Sequence, residues 1–388
     1  MNMEKLGKYC KIISGYAFKS NDLSEGTEIP VIKIGNISNG NDVIIDSSTQ
    51  YVSSDFLSID EKYHIKKGDV LISLTGSHIN QPNSMVGRSC RNFSDTEFLL
   101  NQRAGKVIPN ENADKNYLYY LLNTESFKYS ICNRAYGAAN QANVSPSDIE
   151  NIKWNFPPLP TQQKIASILS VYDNLIQNYK KQIEALQTAA SELYKEWFVR
   201  FRFPGWQNAK FENGIPDGWK VVLASELGEF IRGKNITAEE MQEGTIPVIS
   251  AGIEPSGFHN QSNVKGVSLT ISNSGANAGY LQINYSDIWA ADCSYCNSAK
   301  HIYFYYELLN NMRVVLFNLQ KGAAQPHVYA KDINKMKILL PPSDLIETAD
   351  NKIKLMHEKI YSLQQQITNL TQQRDLLLPR LMSGKLEV

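Results

Sequence analysis

"PPLPTQQKIASILSVYDNLIQNYKKQIEALQTAASELYKEW" runs from Pro157 to Trp197. Leu169, Ile176, Ile183, Ala190 and Trp197 recur every seven residues. Tyr172, Tyr179, Leu186 and Leu193 recur beside them. This is the a/d seam of a coiled coil. Pro157, Pro158 and Pro160 stop the preceding strand and restrict the residues before them. Thr161 is placed to N-cap a helix rising from Gln162. Two other readings of the joint are weaker. Asn155-Phe-Pro-Pro has the wrong order for the Asn-Pro-Pro-Phe motif with which amino-methyltransferases hold a flipped base. Pro-Pro-Leu-Pro as a docking ligand leaves the seam behind it unexplained.

The run from Lys164 to Arg200 is 37 residues. At about 1.5 Å per residue it reaches roughly 55 Å, longer than a compact domain of this size needs. Its apolar stripe therefore requires another long helix. Moving the seam by 184 residues supplies one. Ile353, Ile360, Ile367, Arg374 and Leu381 fall on a positions, and Met356, Leu363, Leu370 and Leu377 on d positions. The same shift carries Pro157-Pro158 onto Pro341-Pro342. Ala190 and Arg374 are equivalent, so the seam weakens near the end of both helices, where Arg374 is expected to snorkel or face a partner.

The repeat extends to the rest of the chain. "IPVIKIGNISNG" (Ile29–Gly40) echoes "IPVISAGIEPSG" (Ile246–Gly257), and "KKGDVLISLTGS" (Lys66–Ser77) echoes "VKGVSLTISNSG" (Val264–Gly275). "YLYYLLNTESF" (Tyr117–Phe127) echoes "YFYYELLNNMR" (Tyr303–Arg313). "GAANQANVSPSDIENIKWNFPPLP" (Gly137–Pro160) echoes "GAAQPHVYAKDINKMKILLPPSD" (Gly322–Asp344). The order is the same in both halves. "VIKIG", "DVLISL" and "AGKVI" read as short strands and "KNYLYYLLNTESFKYSI" as a helix. The expected class is α+β: two mixed α/β domains in pseudo-twofold repeat, separated by two long antiparallel coiled-coil helices. The expected boundaries are 1–155, 156–205, 206–340 and 341–388.

Composition excludes several classes. The 39 basic and 39 acidic residues cancel, so any nucleic-acid contact must come from local clusters or a partner's charge. No stretch is long and apolar enough for a membrane span, and the N-terminus does not read as a secretory signal, so the expected location is the cytoplasm. Five cysteines in 388 residues do not make a disulfide framework. Cys293 and Cys296 form a C-x-x-C, but a zinc site needs about four ligands. With no second pair and only His301 as a further candidate, two reduced thiols in a strand or loop are expected.

Catalytic signatures are missing: no P-loop, H-E-x-x-H or G-x-S-x-G occurs. His64 and His78 fall in polar, loop-like stretches and His357 on the exposed side of a helix, so each is expected to be solvated. What remains are matching loops rich in Asn, Gln, Ser and Gly. The first copy has "TGSHINQPNSMVGR" (Thr75–Arg88), "LNQRAGK" (Leu100–Lys106) and "NRAYGAANQANVS" (Asn133–Ser145). The second has "SNSGANAGY" (Ser272–Tyr280), "DCSYCNSAK" (Asp292–Lys300) and "KGAAQPHVYAK" (Lys321–Lys331). Asn and Gln suit adenine edges, and Arg and Lys suit guanine or phosphate. The candidate DNA contacts are Ser77, Asn80, Gln81, Arg88, Gln102, Arg103, Asn140, Gln141 and Asn143, then Ser272, Asn273, Asn277, Lys321, Gln325, His327 and Lys331. No catalytic or metal-ligating residue is assigned.

"FPPLPTQQKIASILSVYDNLI" (Phe156–Ile176) with "QIEALQTAASELYKEWFVRF" (Gln182–Phe201) resembles the central conserved region of the specificity subunit of type I restriction-modification systems. "QITNLTQQRDLLLPRLMSGKLEV" (Gln366–Val388) resembles its C-terminal end. "ISGYAFKS" (Ile13–Ser20) and "IPDGWKVV" (Ile215–Val222) look like the starts of its two target recognition domains. The resemblance implies a non-catalytic DNA-binding subunit. Each recognition domain reads one half of a bipartite target, and the long helices fix the spacer. Two domains one duplex turn apart, about 34–36 Å, would read one face of the DNA. Implied partners are double-stranded DNA, two modification subunits that methylate adenine and two restriction subunits that translocate and cut. S-adenosylmethionine, ATP and Mg are implied only on those partners. The second copy has "PPSDLIETADNKI" where the first has "PPLPTQQKIASIL", so its Gln-Gln is missing, and the first copy carries more residues between its "IPV" and "GDVLI" elements. The two domains are therefore expected to read different sequences, giving an asymmetric target. Two alternatives stay open: a methyltransferase fused to its own recognition domain, and a coiled-coil scaffold that binds only protein.

Overall fold

A computed structural model describes the chain except residues 1, 2, 27, 79–84, 139, 140 and 323–325. It divides into two compact units, residues 1–178 with 367–388, and residues 179–366. Each unit takes the start of one long helix and the end of the other.

The first unit is built on the apolar run Val70–Ser73, which is buried on both faces. Strand alternation sends Val70 and Ile72 into one core and Leu71 into another. The run is the third strand of an antiparallel sheet ordered Cys10–Ser14, Ala104–Pro109, Val70–Ser73, Ser89–Arg91. A second sheet is ordered Gln50–Val52, Ile29–Ile32, Phe98–Leu100, His64–Ile65. Within it Ile29–Ile32 runs parallel to Phe98–Leu100, with Val31 opposite Leu99. Two helices, Lys115–Asn123 and Glu125–Cys132, cover the first sheet. The sequence suggests one helix here. The chain breaks at Thr124, whose hydroxyl caps the second helix by accepting from the Phe127 amide. Tyr117 to Leu122 are all buried, which suits a segment apolar on every side.

The second unit repeats the plan. Ile231–Arg232, Cys293–Cys296, Ser268–Ser272 and Leu281–Asn284 form the same four-strand order. Ile246–Ile249 pairs antiparallel with Gly257–His259 and parallel with Trp289–Ala290. Cys293 and Cys296 lie three apart on one strand, so they face opposite sides and enter different cores. Both thiols are buried, and burial pushes that of Cys293 up to about 12.

The first long helix spans Leu159–Tyr194 and runs into a five-residue π turn, Lys195–Val199. It begins three residues before the expected start. The amides of Thr161 and Gln162 both bond to the Pro158 carbonyl, so Thr161 is inside the helix rather than its cap. Pro160 fits because a first-turn residue needs no N–H partner. The second long helix spans Ser343–Met382. Every seam position is buried or half-buried: Leu169, Ile176, Ile353, Ile360 and Leu363 are buried, and Tyr172, Tyr179, Ile183, Leu186, Leu193, Met356, Ile367, Leu370 and Leu377 are half-buried. In the first unit Ile165, Ala166 and Leu169 share a core with Leu381, while Asp173 further along meets Arg374, so the two helix segments run antiparallel there. In the second unit Ala190 and Tyr194 share a core with Ile346, Ala349 and Ile353. Gln162 occupies the a position one heptad before Leu169. It is fully buried, donates to the carbonyls of Asn112 and Pro157, and accepts from the Asp114 amide. Its counterpart in the second copy is Ile346.

Three expectations from the sequence need correction. His357 is 1 % exposed, not solvated. Its Nε2 is 3.3 Å from a Glu307 carboxylate oxygen and its Nδ1 2.8 Å from the Tyr285 hydroxyl. His64 is also buried, because it forms an edge strand against Phe98–Leu100 and contacts Glu97 at 2.6 Å. Arg374 neither snorkels nor awaits a partner. Its Nη1 donates to Asp173 at 2.8 Å. His78 is half-buried. Among the described residues no helix is long and apolar enough to cross a membrane.

Candidate nucleic-acid interface

In each unit, several chain-distant turns meet at the end of the main sheet. In the first, the Leu74 amide donates to the Arg103 carbonyl at 2.9 Å, and the Val144 amide to the Leu74 carbonyl at 2.9 Å. Thr75–Gly76 then pairs with Ala142 and Asn143, and Gln141–Asn143 pairs with Tyr136–Ala138. The Tyr16 amide bonds to Leu100, and the Gln102 amide returns to Tyr16. This crossing requires Gly15, since a Cβ there would lie 2.2 Å from the Leu100 carbonyl oxygen.

The second unit reproduces the junction. The Asn273 amide donates to the Asp292 carbonyl at 3.3 Å, and the Val328 amide to Asn273 at 2.9 Å. Ser274 and Lys321 both pair with His327. The Lys234 amide bonds to Ala290, and Gly233 makes the tight crossing, where a Cβ would meet the Ala291 carbonyl oxygen at 2.4 Å. The turns of the first unit correspond one by one to turns of the second.

The sequence-derived candidates separate by burial. Gln102, Arg103, Gln141, Lys321 and Lys331 are exposed, and Asn143, Asn277 and His327 half-buried. The Thr75 hydroxyl donates to Asn143 Oδ1 at 2.8 Å, so the Asn143 amide group turns its carbonyl inward. Lys321 holds Asp332 at 2.7 Å, while Lys331 sits 5.5 Å over the Tyr329 ring, against which His327 stacks. Ser77, Ser272 and Asn273 are buried. Ser272 donates to the Ala251 carbonyl and Asn273 accepts from Ser294, so these side chains brace the junction from beneath instead of facing outward. Arg88 is half-buried and donates to the Ile34 carbonyl at 3.0 Å. Asn80, Gln81, Asn140 and Gln325 lie outside the described residues.

The junction also brings up side chains that are not among the candidate contacts, although Arg134 and Tyr136 belong to the Asn133–Ser145 loop. Arg134 and Tyr136 are exposed in the first unit, as are Arg232 and Lys234 in the second. Lys234 stands 6.0 Å over Trp289. The available signal was the echo of "ISGYAF" (Ile13–Phe18) in "IRGKNI" (Ile231–Ile236). With aromatic faces, amides and cations at one edge, the junction can hydrogen-bond base edges and neutralise phosphate. Among the described residues no group of three or more His, Cys, Asp or Glu side chains is arranged to hold a metal.

A family model described as "Type I restriction modification DNA specificity domain" matches residues 1–188 and 216–375. This chain belongs to that family. The two matched segments fall on the two halves of the internal repeat, so the specificity domain occurs twice in tandem. A relative from Methanocaldococcus jannaschii, the type I restriction enzyme MjaIX specificity subunit, is 28% identical over 320 residues, covering 75% of this chain and 73% of its own. The MjaVIII specificity subunit of the same organism is 32% identical over 205 residues, 51% of this chain and 45% of its own. The crystal structure of a type I restriction-modification S subunit from M. genitalium shares the fold, with TM-score 0.61 at 18% identity over 98% of this chain and 95% of that one.

Proposed function

We propose that this chain is the sequence-specific DNA-recognition subunit of a type I restriction-modification complex. One observation carries the reading: two units of one plan present equivalent junctions whose side chains differ. Residues 1–155 and 206–340 each read one half of a bipartite, asymmetric target. Regions 156–205 and 341–388 hold the long helices that set the spacer. The chain catalyses nothing. Two modification subunits bind S-adenosylmethionine and methylate adenine, and two restriction subunits use ATP and Mg to translocate and cut. The assembly works in the cytoplasm. A neutral chain suits this arrangement, because partners that surround the duplex contribute charge that the chain lacks.

The test is to express the chain with its modification subunit in cells without adenine methylation and to map methylated adenines. The expected pattern is two unlike half-sites separated by a constant run of unspecified bases. Methylation with no defined motif, or the same motif without this chain, overturns the reading. Tight S-adenosylmethionine binding by the purified chain alone, measured calorimetrically, would also defeat it.

A further inference from the structure

The two junctions carry side chains of opposite charge at one equivalent position. Arg103 and Asp292 each accept, through their carbonyls, the amide of the residue that leaves the central strand. The flanking bonds agree. Asn101 and Ala291 donate to Ile32 and Ile249, and Gly15 and Gly233 donate to Ala104 and Cys293. The second turn is one residue shorter, yet Asp292 still falls where Arg103 does.

The surroundings match the charges. Arg103 is exposed, and Leu74 links it through backbone bonds to Val144. The preceding Asn143 has its carbonyl engaged by Thr75, which leaves the NH2 side for an outside acceptor. The first junction thus presents donors. In the second, the Ser274 hydroxyl donates to the Asp292 carboxylate and Arg232 stands 4.0 Å away. A carboxylate has about four acceptor sites, so two such neighbours do not saturate it. Phosphate would repel it, and a base amino group is the part of a duplex that rewards an acceptor there.

Resting on the proposed function, we infer that this position determines base class in both half-sites: Arg103 selects guanine through O6 and N7, and Asp292 selects a base with an exocyclic amino group, cytosine or adenine. A well-made contact of this kind discriminates by ~5-fold to ~150-fold.

The experiment uses the chain assembled with its modification subunits. It measures the methylation motif and binding to duplex libraries randomised at each target position, at two salt concentrations. If the unaltered complex yields no bipartite motif, the functional reading fails. Given the motif, Arg103→Ala should erase a guanine preference at one position of one half-site. Asp292→Asn should erase or change a cytosine or adenine preference in the other, and the library distinguishes the two bases. Thermal melts of both variants should match the parent. The inference is overturned if Arg103→Ala weakens all sequences alike with a shallower salt dependence, as loss of a phosphate contact does. It is also overturned if either variant leaves the motif intact.

Discussion

Replacing Asp173 with alanine should destabilise the first unit far more than a surface change would. The Asp173 side chain is 4% exposed and accepts from Arg91 at 3.1 Å, Arg374 at 2.8 Å and the Tyr120 hydroxyl at 2.6 Å. The Arg91 side chain is itself 6% exposed. Without the carboxylate it keeps Asn116 at 2.7 Å and the ring faces of Phe93 and Tyr119. Removing one partner of a buried pair costs about 3–5 kcal/mol, because the other charge stays buried. Arg374 is 13% exposed and retains Asp375 at 2.8 Å, which argues for the lower part of that range. For a unit of this size each kcal/mol lowers the melting temperature by about 2–4 °C, so roughly 6–15 °C is expected. Calorimetry of the whole chain is the assay, and the shift should fall on one transition if the units melt separately. Arg374→Ala should cost less, since Asp173 then keeps Arg91 and Tyr120. The double variant should reveal a coupling of about 1–2 kcal/mol. A loss below about 1 kcal/mol for Asp173→Ala, or a coupling of zero, would refute the claim that this cluster locks the last helix to the first domain.

Gly15→Ala and Gly233→Ala should each cost about 1–3 kcal/mol in chemical denaturation, because a carbonyl oxygen already occupies the space the methyl needs. Burial lowers the Lys128 ammonium to about 8. Between pH 8 and about 10 the unfolded chain therefore holds more protons and folding gains stability as pH rises, while below pH 8 the penalty is full. Lys128→Met should then be more stable than the parent at pH 7 by about 2–3 kcal/mol, an advantage that shrinks toward pH 10; an equal difference at both pH values would contradict this. Adding one heptad to both long helices should lengthen the spacer by about three base pairs without changing either half-site, as read from methylation maps.

The long helices were legible because a heptad pattern is local: each seam residue announces itself by its spacing from the next. The repeat was legible for a related reason, since four echoes keep their order. Asp173 and His357 were not, and they fail for one cause. Both follow a d residue, at equivalent places 184 residues apart. A seam pattern reports only the facing helix, whereas these positions are covered by the flank of their own domain, through Tyr120 in one unit and Glu307 in the other. The junctions were half legible. Their loops stand out by composition, but the contacts that join residue 16 to 100, or 74 to 103 and 144, are set by sheet order. Gln102, Arg103 and Gln141 emerged from composition; Asp292 opens a loop that composition marks but stands out as a contact only by register, and Lys234 emerged from register alone.

The Asp173 cluster also bears on how such a chain can be recombined. Arg91, Asn116 and Tyr120 lie before the proline joint, Asp173 lies after it, and Arg374 comes almost at the C-terminus. A graft cut at the joint would inherit Arg91 from one parent and its counter-ion from another. If the recipient offers no acid at position 173, the imported domain arrives with a buried charge and no answer to it. Seamless exchange of the first half therefore calls for a junction beyond Asp173, or for parents that already agree on that acid and on the arginine near the far end.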